Sequence, residues 1–228
     1  MISLKNTNVA EFVEMKLDKI ENSFSERELN EIMELVYDTY TINEEVLEDD
    51  LADLKYFKGL KKLYLMNVDI SKESAKNIFI LPSLEEISFE KVNFLYTDFI
   101  ANLNVKEISF VNTNIEDYSF FKTMTGLEKV ELIGVKEVNL DYFDQYRNLS
   151  ELDLGYSNIL NVDKIKYFYY LNGLAVNDTN IRDLKFLEEF QHLKYVGLDK
   201  TQIEENAEII KMLREKEVEI FIDNMIEY

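Results

Sequence analysis

VKEISFVN (105–112), LEKVELIG (127–134), LSELDLGY (149–156), LNGLAVND (171–178) and LKYVGLDK (193–200) are one phrase written five times. Their anchors Val105, Leu127, Leu149, Leu171 and Leu193 stand twenty-two residues apart. Behind each anchor, apolar residues recur at plus three and plus five: Ile108 and Phe110, Val130 and Leu132, Leu152 and Leu154, Leu174 and Val176, Val196 and Leu198. A fixed period of this length, with one short alternating segment per period, predicts a solenoid whose stacked repeats share a core.

Working outward, two looser repeats precede the regular ones. Leu60-Leu63-Leu65 is completed by Ile70, and Leu84-Ile87-Phe89 by Phe94. The extra length between them lies from Ser71 to Pro82, where Ser71 followed by Lys72, Glu73 and Ala75 predicts a short helix on the outer side. Later repeats carry a second apolar series at steps of three, Ile159-Val162-Ile165-Phe168 and Ile181-Leu184-Leu187-Phe190, which suits a helical turn or 3₁₀ segment returning outside. Before Leu60, Asn8 with Glu11 and Ser25 with Glu28 predict two capped helices. Their apolar series are Val9, Phe12, Val13, Leu17 and Ile20, then Leu29, Ile32, Met33 and Val36. Such helices would cover the first hydrophobic layer, with Asn43 to Asp50 as a solvated loop behind them. At the other end, Ala207, Ile210 and Leu213 predict a closing helix, and Val218-Ile220-Ile222 an edge strand blunted by Glu217 and Glu219. The expected organisation is a helical cap and lead-in over 1–58, repeats over 59–203 and a C-terminal cap over 204–228. With one proline and six glycines there is no flexible linker, so these should form one continuous domain.

Composition narrows the function. A chain of 228 residues with 46% hydrophobic and 31% charged side chains is that of a folded protein. The absence of cysteine excludes disulfides, thiolate metal sites and thiol catalysis, and suits a reducing compartment. MISLKN at the start holds no apolar run fit for a signal peptide, and Ile78 to Leu81 is too short to span a bilayer. The expected location is cytoplasmic, with no membrane partner. The net charge is −20 and sits mostly at the ends. Residues 1–56 hold fifteen acids against five bases, and residues 204–228 eight against three. Two readings of this charge stand: solvated caps that keep a sticky solenoid soluble, or an acidic body that competes with nucleic acid for a basic partner. Direct binding to nucleic acid is disfavoured by both, because like charges repel and there is no basic stripe.

The pattern L-x2-L-x-L-x2-(N/T)-x-I-x2-L-x2-L resembles the twenty-two-residue leucine-rich repeat of bacterial internalin-like proteins, and the helical lead-in resembles their caps. The resemblance implies an α/β solenoid, with a curved parallel sheet on the concave side and short helices or 3₁₀ turns on the convex side. It also implies protein binding along the concave face, without chemistry. There are departures. Where the family often has asparagine after the strand, this chain has Val68, Val92, Thr113, Val135, Ser157, Thr179 and Thr201. Threonine and serine can bond backbone groups and valine cannot, so the polar ladder should be intact mainly in later repeats. Glu137 stands where isoleucine is expected and Val138 comes one place late, which predicts a bulge. No secretion signal or wall anchor like those of surface internalins is expected.

If plus three and plus five face the core, then plus two, four and six face the concave side. The plus-six column holds Met66, Val111 and Ile133, apolar residues the fold does not require outside. Tyr64, and Tyr156 and Tyr195 beside Asp153 and Asp199, add aromatic anchors, with Glu90 and Glu131 as an acidic rim. These ten residues are the candidate partner-binding set. No catalytic, metal or cofactor site is expected. His192 stands at a repeat junction as an exposed turn residue, and there is no phosphate loop or nucleophile elbow. Glu131 and Asp153 should be neighbours, but an open sheet offers such a carboxylate pair no deep pocket. The expected function is a non-enzymatic module that captures a protein partner. The alternative is a small acidic inhibitor of a nuclease or other nucleic-acid enzyme, in the manner of toxin immunity proteins or anti-CRISPR proteins.

Overall fold

The computed structural model describes residues 1–38, 51–113 and 115–222. The loop expected from Asn43 to Asp50 lies outside the described residues. In chain order the elements are α1 (Thr7–Leu17), α2 (Glu26–Asn30), β1 (Glu34–Asp38), β2 (Lys62–Met66), β3 (Asp69–Ile70), α3 (Lys72–Phe79), β4 (Glu86–Glu90) and β5 (Asn93–Phe94). Then follow β6 (Glu107–Val111), β7 (Lys129–Ile133), β8 (Val138–Asn139), β9 (Glu151–Asp153), β10 (Ile159–Leu160), β11 (Gly173–Ala175), β12 (Tyr195–Leu198), α4 (Lys200–Glu205), α5 (Ala207–Glu215) and β13 (Glu219–Ile222). Short 3₁₀ turns connect most strands along the outer side, among them Val162–Tyr167 and Lys185–Glu189. The strands form a nine-stranded sheet in the order β1-β2-β4-β6-β7-β9-β11-β12-β13, a leucine-rich-repeat solenoid. Its registered pairs run parallel: Lys129 faces Glu151, Glu151 faces Gly173 and Gly173 faces Tyr195. The plus-three residues Ile108, Val130, Leu152 and Leu174 are at most 1% exposed. One side of each strand is therefore committed to the core.

The chain divides into two compact units, residues 1–107 with 112–115, and residues 108–111 with 116–222 and beyond. In the first, α1 is capped by Asn6, whose side chain accepts from Val9 N at 3.1 Å. The cap therefore lies two residues before the predicted one, and Asn8 instead donates to Asp38 O at 3.3 Å. The helix stops at Asp18 in a left-handed conformation, which leaves Ile20, expected on its apolar face, 96% exposed. The capping box of Ser25 and Glu28 forms as read, and Lys19 at 2.7 Å helps to hold the Glu28 carboxyl down at about 2. The second helix, however, ends at Asn30. Met33 and Val36 belong to no helix: Leu35 and Tyr37 are buried and Glu34 and Val36 exposed, the alternation of a strand. Helical spacing and strand alternation both fit this stretch, and hydrogen-bonded register against Lys62–Met66 decides for the strand. The buried Asp53 carboxylate ties the amino terminus to the same unit by accepting from Lys5 N at 2.6 Å and Asn6 N at 2.8 Å.

Six repeats leave their strands through one residue with positive φ, Asn67 (56°), Lys91 (50°), Asn112 (49°), Gly134 (65°), Tyr156 (59°) and Asp178 (53°), whereas β12 runs through extended Asp199 into α4. A sharp corner of this kind strands the backbone groups next to it, and side-chain hydroxyls satisfy them. Thr113 Oγ1 donates to Phe89 O at 3.0 Å and accepts from Val92 N at 3.2 Å. In the second unit Ser157 Oγ donates to Leu132 O at 2.7 Å and accepts from Val135 N at 3.1 Å. A hydroxyl in one repeat thus serves the valine of the repeat before it, which is why valine is tolerated at Val92 and Val135. Thr179 turns inward on its own repeat, donating to Val176 O at 2.7 Å. Thr201, expected as the next rung, is exposed within α4. Its neighbour Gln202 takes the role, 0% exposed, with Nε2 donating to Val176 O and Ile181 O at 2.9 Å each and Oε1 accepting from Asp199 N at 3.0 Å. The predicted bulge is present. Val130 faces Leu152, yet Val138 faces Ile159, so one extra residue has entered between them.

Replacing Gln202 by Leu leaves the Ile181 carbonyl and the Asp199 amide without these bonds, while Val176 O keeps Thr179, and should cost on the order of 1–3 kcal/mol. Thr201→Ala, one residue away and exposed, should change stability by less than about 0.5 kcal/mol. Urea midpoints of the two variants check this, and equal losses would overturn the assignment of the last rung.

Candidate protein-binding face

The strand residues that do not enter the core form an open face, which each unit presents separately. On the first unit Lys62, Tyr64 and Met66 of β2 lie opposite Glu86, Ser88 and Glu90 of β4. The Glu86 carboxylate is the centre of this set, accepting from the Lys62 ammonium and from the Tyr64 hydroxyl at 2.5 Å. Burial, then this hydrogen bond to a carboxylate, pushes the Tyr64 phenol up to about 12. Met66 is half-buried opposite Glu90, whose carboxylate is 3.8 Å from Lys91 Nζ. Val36, exposed on β1 opposite Tyr64, joins this face. Sequence reading missed it because β1 was assigned to a helix.

On the second unit the face is a grid. One row runs Lys129, Glu151, Gly173, Tyr195, Glu219, and the next runs Glu131, Asp153, Ala175, Gly197, Phe221. Lys129 Nζ holds Glu131 at 2.9 Å and Glu151 at 3.4 Å, and these carboxylates, against the cost of burial, raise the lysine above its ordinary range. The Tyr195 ring lies across Gly173, where a Cβ would come within 2.1 Å of the ring. Only glycine admits it. Burial, followed by a hydrogen bond to Glu151, pushes the Tyr195 phenol up to about 12. Phe221 stands edge-on to Tyr195, with ring centres 6.0 Å apart at 73°, and is 56% exposed. It belongs to this face and was missed because β13 was read only as an edge.

Asp153 shares the grid, its Oδ1 accepting from Gly155 N at 2.9 Å. Val111 and Ile133 are half-buried at the ends of β6 and β7. Tyr156 is exposed and occupies the left-handed corner where other repeats place asparagine, glycine, aspartate or, once, a lysine, Lys91. A side chain such as tyrosine resists that conformation, and strained residues cluster at functional sites. Asp199 differs from the rest. It is buried, caps α4 by accepting from Gln202 N at 2.9 Å, accepts from Asp178 N at 3.1 Å, and has the Arg182 guanidinium at 3.6 Å. These structural bonds occupy it, because a carboxylate directly before a helix caps it.

Among the described residues no group of three or more His, Asp or Glu side chains is placed to hold a metal. His192 is exposed and stacks on Tyr170, ring centres 5.9 Å apart at 19°. Glu131 and Asp153 do face one another across β7 and β9, but Lys129 already pairs Glu131.

No protein-family description matches the chain, and no curated protein does. Its likeness is to solved structures of Listeria monocytogenes internalins. Internalin C2 of strain 4b F2365 is similar with a TM-score of 0.61 at 15% identity, over 87% of this chain and 100% of that one. Internalin InlF of the same strain is similar with a TM-score of 0.53 at 15% identity, over 97% and 91% of the two chains. InlP is similar with a TM-score of 0.52 at 15% identity, over 85% and 64%. The fold is internalin-like. At this identity the likeness extends to the leucine-rich-repeat architecture, and the side chains of the open face are this chain's own.

Two outcomes follow for this face. Unfolded tyrosine titrates near about 10 and folded Tyr64 and Tyr195 at about 12, so the unfolded chain loses protons first as pH rises. Stability is therefore whole below about 10 and falls as pH climbs towards about 12. Tyr64→Phe and Tyr195→Phe should each flatten that fall in urea midpoints measured across this window, and identical slopes would mean that the carboxylate contacts do not form. Tyr156→Asn should raise stability by about 0.5–1 kcal/mol through relief of the left-handed corner, and a lowered urea midpoint would refute the strain.

Proposed function

We propose that the protein is a non-enzymatic binding module which captures a protein partner on the open face of its sheet. The observation that carries this reading is Tyr156, an exposed aromatic held in a backbone conformation that disfavours it, on a unit whose strands also carry Ile133, Tyr195 and Phe221 on the side away from the core. Val111, Glu131 and Asp153 complete the contact set on the second unit. On the first, Tyr64, Met66 and Glu90 are proposed to make contacts of the same kind. Asp199 is proposed to act through the shape of the corner it caps. The solved internalins share this architecture. No helix among the described residues is long and apolar enough to cross a membrane. A cysteine-free chain suits the cytoplasm, where we place it. We further propose 1–58 and 204–228 as caps on the repeats of 59–203.

The net charge of −20 favours a second reading, in which the partner is a basic nucleic-acid-handling protein that this module inhibits. Affinity for such a partner should fall steeply between low and high salt, whereas an apolar contact should hold.

Ile133→Asp combined with Tyr156→Ala should abolish partner capture while leaving the circular dichroism spectrum unchanged. Undiminished capture by the folded double variant rules out the open face as the binding surface.

A further inference from the structure

Resting on the reading of this face as a protein-binding surface, we infer that the floor of β9, β11 and β12 is a receptor for an arginine side chain carried by the partner. Three features of the second unit converge on it. The Tyr195 ring lies over Gly173, where a Cβ would come within 2.1 Å of it, and Phe221 packs against it with ring centres 6.0 Å apart, so it forms a packed platform rather than a mobile aromatic. In the adjacent row Ala175 and Gly197 stand side by side between Asp153 and Phe221. Two strands without bulk leave a shallow depression beside the platform, floored by Ala175 and Gly197 and bounded by the Asn177 side chain, 3.4 Å from where a Cβ on Gly197 would stand. Charge then selects the occupant. The face carries Glu131, Glu151, Asp153 and Glu219, and Lys129, the base of these rows, is already engaged by Glu131 and Glu151.

A planar, weakly hydrated guanidinium can stack on a tyrosine face and present its donor fork to a neighbouring carboxylate, which a strongly hydrated ammonium does less well. Asp153 stands at the wall of the depression with its carboxylate direction set by Gly155 N at 2.9 Å. Nearby, Arg182 already points its guanidinium at Asp199, 3.6 Å away, so acids at this end of the sheet draw in the same group from the protein itself.

The test uses the isotopically labelled full chain titrated with N-acetyl-arginine amide, and with N-acetyl-citrulline amide as the neutral isostere. Arginine amide should give saturable NMR shifts at the Tyr195 ring and the Gly197 amide, and citrulline amide should not. Tyr195→Leu and Asp153→Asn should each weaken binding about three- to tenfold. Tyr195→Phe, which keeps the ring, should bind within about twofold of the native chain. An equal response to citrulline, insensitivity to both weakening variants, or no shift up to about 100 mM arginine amide would overturn the receptor. Should the arginine amide fail while Ile133→Asp with Tyr156→Ala still abolishes capture, the receptor is wrong and the binding face stands. Saturable arginine binding at Tyr195, with capture indifferent to that double variant, would uphold the receptor and overturn the wider binding face.

Discussion

A parallel strand with one side in the core needs backbone partners on both edges and a way to leave the sheet without stranding the groups at its end. The second need governs this chain. Six repeats exit their strands through a left-handed residue, and backbone groups beside such corners are met by buried side chains, as at Val92 and Val135. Thr113, Ser157 and Gln202 answer it with side-chain bonds to the preceding repeat or its exit. Because these donors sit one repeat downstream, the repeats they serve are completed only when the next has formed. The repeat of Leu171 is served in this way by Gln202, at the start of α4. Nearest-neighbour coupling of this kind is what makes a solenoid cooperative.

The same geometry frees the open face. With plus-three and plus-five residues buried, plus-two and plus-four residues must point outward, and their chemistry is not constrained by the core. The tyrosines there are nevertheless not loose. Tyr64 is fixed by Glu86, with Lys62 supplying the positive charge at the carboxylate, and Tyr195 by its seat on Gly173 against Phe221. A rigid, amphipathic ring loses little conformational freedom on binding, so such anchoring favours recognition by lowering its entropic cost. It also explains the glycine at 173, which a sequence reader takes for a weak strand residue and which is the seat of an aromatic ring.

The repeat, its inward residues, the outer 3₁₀ turns, α3 and the closing helix were all legible, because each leaves a periodic apolar trace. The bulge before Val138 was legible as a break in that trace. What failed to read were features whose signal lies across strands. In β1, apolar residues at 29, 32, 33 and 36 satisfied a helical period, and only pairing with β2 reveals the strand. The rung at Gln202 was assigned to Thr201 because the count of residues points there, while the start of α4 rotates the next side chain into place. Asp199 read as a face residue for the same reason, since position alone cannot distinguish an outward carboxylate from one bent back to cap the helix behind it.

The site was less legible than the fold for a physical reason. Core residues are chosen by the chain itself and therefore repeat, whereas face residues are chosen by what lies opposite and need not. The most informative residues are those which break the repeat at a cost. Tyr156 takes a corner that asparagine, aspartate or glycine would hold without strain, and Phe221 and Val36 leave apolar area in water at the two terminal strands. Each keeps much of its side chain in water. A protein that keeps such residues beside a well-satisfied interior has a use for them outside it, and the acids that surround Tyr195 and Phe221 set the sign of the group they meet.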